Sequence, residues 1–139
     1  MWRALIAVVA FAFSGCAQVA PSVEDSRAKS FDAVPGKAVI YIVRGSLGPA
    51  LGDTLYLNDG LQITTWAGTY YRWEAAPGEH RIAGFGPTNA MITMRTEPGK
   101  VYFVLHRVVG TERDGVQNVV LEHLDDETGR AMVRRARLL

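Results

Sequence analysis

The chain has 139 residues and carries 15 Lys and Arg against 14 Asp and Glu, a formal net charge of +1. That balance excludes a global pull on nucleic acid or on an anionic surface. The single cysteine excludes an internal disulfide and any multi-thiolate metal site.

Arg3 precedes an apolar run, residues 4–13, that is too short to span a bilayer. Ser14 and Gly15 follow, and then Cys16, the lone cysteine. A basic start, a short apolar stretch and small residues at the cut define a signal peptide over residues 1–15. Ser14-Gly15-Cys16 resembles the lipobox of bacterial lipoproteins, with Phe13 where that pattern prefers Leu. The resemblance implies a diacylglycerol on the Cys16 sulfur, cleavage after Gly15 and acylation of the new amine. Each buried methylene contributes about 0.8 kcal/mol, so two or three chains hold a protein on a membrane that one holds only weakly. Cys16 is followed by Ala17 and not by Asp. By the same resemblance this implies the inner leaflet of the outer membrane, facing the periplasm. The alternatives are a secretory peptide cut elsewhere, or an uncleaved anchor.

Residues 16–34 are polar, of mixed charge and poor in large apolar side chains. They read as a flexible tether from Cys16, with a stretched reach of about 55–60 Å. Pro35-Gly36 opens the domain, residues 35–139. Residues 37–44 are apolar on both faces and predict a strand covered from both sides. Residues 45–52 form a Gly-rich loop. Residues 54–58 and 61–66 flank Asp59-Gly60, a hairpin signal that calls for positive φ at both turn centres. Residues 68–76 alternate, with Tyr71, Trp73 and Ala75 inward and Tyr70, Arg72 and Glu74 outward. Pro77-Gly78 turns the chain into strands over 80–86 and 89–96, and Pro98-Gly99 into a second apolar strand over 101–108. A charged loop over 110–115 precedes a last strand over 116–124. Asp125 to Thr128 form an acidic cap for a short amphipathic helix, with Met132, Val133, Ala136 and Leu139 on one side. Seven or eight strands at regular spacing predict an all-β antiparallel sandwich, Ig-like or transthyretin-like, with a short C-terminal helix.

Several segments resemble an uncharacterised bacterial lipoprotein family known as domain of unknown function 2846. They are Ala38 to Arg44, Leu57-Asn58-Asp59-Gly60, Gly68-Thr69-Tyr70-Tyr71, Pro77-Gly78-Glu79-His80 and Pro98-Gly99-Lys100-Val101-Tyr102. The resemblance covers about residues 35–124 and implies a β-sandwich on a lipid anchor. It implies no reaction and no catalytic residue.

Three histidines are the candidate chemistry. His106 and His123 lie in strands that flank the 110–115 loop, near Glu122 and Glu112, and His80 follows a turn. None has tight ligand spacing, so no metal or cofactor is expected, and His80 is expected to hydrogen-bond the turn before it. Gly45-Ser46-Leu47-Gly48 lacks the glycine two residues before the serine that a nucleophile elbow needs. Gly84-Phe85-Gly86 lacks the third glycine of a dinucleotide loop. No enzyme activity is expected.

Two surfaces stand out. Trp66, Tyr70 and Arg72 fall on polar strand phases and would make an exposed aromatic and Arg patch, unless Trp66 covers the rim of the core. Arg134 and Arg135 on the C-terminal helix would bind anionic headgroups or form a solvated face. The expected role is a non-enzymatic binding or structural module of the cell envelope. Its membrane contact would be the lipid on Cys16, its partner an envelope protein. The alternative is a binder of peptidoglycan or another envelope glycan, and a small metal-dependent hydrolase ranks below both.

Overall fold

The computed structural model describes residues 20–85, 90–110 and 118–139. The expected signal peptide and Cys16, residues 86–89, and residues 111–117 with Glu112 lie outside the described residues.

The chain runs through α1 (Val23–Ala28), β1 (Ala38–Arg44), β2 (Asp53–Leu57), β3 (Leu61–Thr65), β4 (Thr69–Ala75) and β5 (Gly78–Gly84). It continues through β6 (Met91–Thr96), β7 (Val101–Val109), β8 (Asn118–Leu124), α2 (Asp126–Arg135) and β9 (Arg137–Leu138). Two sheets face each other, one ordered β8-β7-β1-β4-β9 and the other β3-β2-β5-β6. This is the expected β-sandwich with a C-terminal helix, and it gains a ninth, two-residue strand. Most pairs are antiparallel, but β1 pairs parallel with β7 and β4 pairs parallel with β9.

All seven residues of β1 are buried, as its unbroken apolar run predicts. Ile40 and Ile42 point between the sheets, where they meet Leu55, Leu57, Ile82 and Val104. Val39, Tyr41 and Val43 point the other way, into a second core with Phe31, Tyr70, Phe103 and Val133. The β1 sheet is therefore a middle layer, with the second sheet on one face and the helical segments on the other. Phe31, Tyr41 and Phe103 fill the helical side with ring centroids 5.3–5.9 Å apart.

The helical layer corrects the tether reading. Residues 23–34 are not free chain: Ser22 caps α1 by accepting from Asp25 N–H at 3.0 Å, and Asp25, Ala28 and Phe31 are buried. Polar composition hid this because one apolar side chain, Phe31, carries most of the docking. α2 does begin on an acidic cap, with Asp125 accepting from Thr128 N–H at 2.8 Å. Its buried residues are Gly129 and Val133, with Ala136 buried at the cap just past its end, whereas Leu139 lies further on and is exposed. Gly129 in the first turn is there for closeness, since a Cβ on it would lie 2.2 Å from the Phe103 ring.

The β2–β3 turn sits one residue earlier than Asp59-Gly60 suggests. Positive φ falls on Asn58 (49°) and Asp59 (60°), and Gly60 N–H donates to Leu57 O at 3.1 Å. Asn and Asp tolerate that region, and Asn58 is held there by further bonds. Its amide nitrogen is 2.9 Å from His80 Nδ1, and its oxygen accepts from Arg81 N–H at 2.9 Å.

Candidate functional site

Strand direction sorts the loops onto two ends. β1 and β7 run the same way, so Arg44 and Val109 finish at one end. β4 begins there at Thr69, and β9 pairs beside it. In the second sheet, Asp53 opens β2 opposite Thr65, the last residue of β3, and Gly84 closes β5 near Met91, the first residue of β6. Residues 45–52, the Trp66–Gly68 corner and Phe85 thus share one end with the β7 terminus.

That end is apolar. Among the described residues nine large hydrophobic side chains are exposed, and six of them are here: Leu47, Leu51, Trp66, Phe85, Met91 and Val109. Leu47 is 90% exposed and Trp66 48%, so neither is a core residue that merely reaches the surface. The loops are built, not loose. Gly68 N–H donates to Gly45 O at 3.1 Å, and Thr69 Oγ1 both accepts from Trp66 N–H at 3.1 Å and donates to Trp66 O at 2.8 Å. Gly52 lies against the Trp66 indole, and Gly48, at φ 120°, lies against the Val108 carbonyl. Between the 45–52 loop and the end of α2 is an open cavity of about 340 Å³, lined by Ser46, Leu47, Leu105, Arg107, Met132 and Arg135. Arg107 is paired with Glu122 at 2.8 Å. Arg135 and Arg137 are exposed, and no acidic partner reaches them among the described residues. The opposite end is charged, with ion pairs Arg81–Asp59, Lys37–Glu74 and Lys100–Glu97.

Behind the apolar end, between the sheets, lies a buried polar cluster. Arg44 is 1% exposed and donates to Thr65 O at 3.0 Å and Pro49 O at 2.6 Å. His106 Nδ1 is 2.9 Å from Thr65 Oγ1, and Nε2 is 2.9 Å from Asp53 Oδ2 but off line for a hydrogen bond. Burial pushes the Arg44 guanidinium below the usual arginine range, and the Asp53 charge offsets part of that. The order Asp53, His106, Thr65 imitates a nucleophile relay. Catalysis needs an open nucleophile, and both Thr65 and His106 are 0% exposed. The cluster instead joins β1 and β7 to β2 and β3. Sequence spacing does not reveal it, because its members lie far apart in the chain and meet only through the sandwich.

The histidines expected from sequence do not converge. His80 Nε2 lies 2.7 Å from Ala76 O, in the turn before it, as expected. His123 is exposed and sits opposite Val104, two register positions from His106. No metal-holding group of His, Cys, Asp or Glu occurs among the described residues.

The expected aromatic and Arg patch is not one surface. Trp66 is exposed at the apolar end. Tyr70 is fully buried under α1, donating to Asp25 Oδ1 at 2.8 Å. Arg72 is half-buried and donates to Tyr41 Oη at 3.2 Å and to Glu74. The β4 alternation is legible, but the helical layer covers the start of its polar phase, burying Tyr70 and half-burying Arg72 while Glu74 stays exposed. Asp25, which sequence reasoning missed, gathers that layer. It accepts from Tyr70, from Leu138 N–H at 2.9 Å and from Lys29 Nζ at 2.8 Å. Burial pushes its carboxyl up, yet these bonds outweigh burial and hold it below the usual carboxylate range. Arg134 and Arg135 are exposed on α2, with the Arg134 guanidinium 5.4 Å from the Phe31 ring.

No helix among the described residues is long and apolar enough to cross a membrane. No protein-family model and no curated protein matches the sequence. An NMR structure of a protein from Eubacterium rectale superposes with a TM-score of 0.37 at 13% identity, over 66% of this chain and 92% of that one.

Proposed function

We propose that this chain is a membrane-anchored lipoprotein of the bacterial envelope, acting in the periplasm as a non-enzymatic binding or structural module. The observation that carries the reading is the set of six large apolar side chains exposed on loops and strand ends at one end of the sandwich. Such patches mark contact surfaces. The sealing of the Asp53–His106–Thr65 cluster supports contact over catalysis, and the Ser14-Gly15-Cys16 motif supports the anchor. Intact-mass measurement of protein purified from envelopes tests it. The expected product begins at Cys16 and carries two or three acyl chains. A product cut elsewhere and unmodified discards the anchor.

Trp66 favours one further reading, an envelope-glycan binder, because an exposed indole beside arginines suits stacking on a sugar ring. Retention on purified cell-wall glycan that is lost in Trp66→Ala supports it, and no retention discards it.

A further inference from the structure

The apolar end has a second property besides exposure: β9 reaches it, with Arg137 N–H donating to Gly68 O at 2.9 Å in the Trp66–Gly68 corner. Asp25 bonds Leu138 N–H and Tyr70, and both residues lie at the start of β4 and in β9, beside the Trp66–Gly68 corner. These bonds dock α1 on the outer face of the β1 sheet. Because α1 is docked, only five residues lie between Cys16 and the cap Ser22, six steps that reach at most about 21 Å. The slack of a long tether is gone.

The side chains at this end suit one kind of partner. Leu47, Leu51, Phe85 and Met91 are aliphatic or aromatic and exposed, and Trp66 adds the amphipathic ring enriched at bilayer interfaces. Arg135 and Arg137 flank them without acidic partners among the described residues, and Arg107 stands at the cavity rim. Apolar tips flanked by two arginines that have no acidic partner among the described residues match the order of an anionic bilayer, in which headgroup charge lies outside the acyl region. A flat, charged protein surface would leave the tips unfilled.

We infer that the sandwich docks end-on to an anionic lipid bilayer, with Leu47, Leu51 and Trp66 entering the interface and Arg135 and Arg137 meeting the headgroups. The inference rests on the anchoring reading for its geometry and names the surface that the apolar end contacts. Docked this way, the charged end with the β2–β3 turn faces away from the membrane.

The test is quenching of Trp66 by brominated acyl chains. Full-length protein purified from envelopes is reconstituted into vesicles of zwitterionic lipid with about one-third anionic lipid, a composition that gives Arg residues a surface to meet. Its spectrum is compared with that of Trp66→Phe, which isolates the Trp66 emission. Burial of Trp66 in the interface predicts at least about a twofold loss of that emission in brominated vesicles, an effect reduced by raised salt and by Arg135→Glu with Arg137→Glu. Acylated protein that floats with the vesicles while Trp66 stays unquenched overturns the docking and leaves the anchor standing. Protein without acyl chains whose Trp66 is still quenched supports the docking and discards the anchor. Trp66-dependent retention on cell-wall glycan, or a dimer abolished by Trp66→Phe, with no quenching, assigns the end to another partner and overturns the inference.

Discussion

Tyr70 Oη donates a 2.8 Å hydrogen bond to Asp25 Oδ1, and the same oxygen accepts from Leu138 N–H at 2.9 Å. One carboxylate thus ties the first helix, a central strand and the last strand. Asp25→Ala removes the carboxylate that accepts from a buried hydroxyl, an amide and the Lys29 ammonium, leaving Lys29 with Ala136 O alone. It should lower unfolding stability by about 2–4 kcal/mol in urea titrations. Asp25→Asn keeps one acceptor oxygen and should lose less. Equal losses in the two variants would show that the charge, and not the acceptor, holds the layer.

The same residue sets a pH dependence. Its folded pKa lies below the ordinary value of 3.8, so its contribution is present above that value and is lost as pH falls through the lower folded one. Acid unfolding of the wild type should therefore steepen below pH about 4, and Asp25→Asn should flatten that limb. Unchanged acid limbs in wild type and variant would contradict the assignment.

Arg44 and Asp53 share the buried cluster with His106 and Thr65, where the Asp53 charge acts on the guanidinium without a direct ion pair. Removing one charge strands the other, so Arg44→Met or Asp53→Leu alone should each cost about 3–5 kcal/mol. The double variant should cost clearly less than the sum, since it strands neither. Strict additivity would mean that the two charges do not interact.

Gly129→Ala should destabilise despite better helix propensity. Propensity gains about 1 kcal/mol, but the new methyl meets the Phe103 ring, and overpacking costs about 1–3 kcal/mol. Thermal unfolding decides it, and a melting point at or above the wild type would show that α2 shifts freely on the sheet.

Asn58 offers a cleaner separation. Asn58→Gly keeps the left-handed backbone but loses the bonds to His80 and Arg81, whereas Asn58→Ala loses both. The Ala variant should be the less stable, by about 1 kcal/mol, in urea titrations. Equal stability of the two variants would place the cost in the side-chain bonds alone.

Much of the fold is legible in the sequence because period and turn chemistry are local. The unbroken run in β1, the alternation in β4 and the Pro-Gly turns each report a neighbourhood of a few residues. What stays hidden is non-local. That α1 belongs to the fold depends on Phe31 meeting Tyr41 and Phe103, and on Asp25 meeting residues near the far end of the chain. Tyr70 and Arg72 occupy a polar phase, and nothing nearby in sequence says that helices cover it. The polar phase of Trp66 does match its exposure. Its companions, Leu47, Leu51, Phe85 and Met91, come from other loops and a strand end, and share its end only when the strands are laid side by side.

The parallel register of Val39 with Val101 carries a consequence for how the chain is made. Strand β1 belongs at the centre of its sheet, yet β7, which completes it on one side, emerges some sixty residues later, and Leu138 later still. A nascent chain holding only its first half exposes two apolar faces and an unpaired edge, with no local structure to hide them. Synthesis therefore cannot yield this domain in instalments: it closes once, near the end, and until then it depends on whatever shields sticky, unfinished polypeptides.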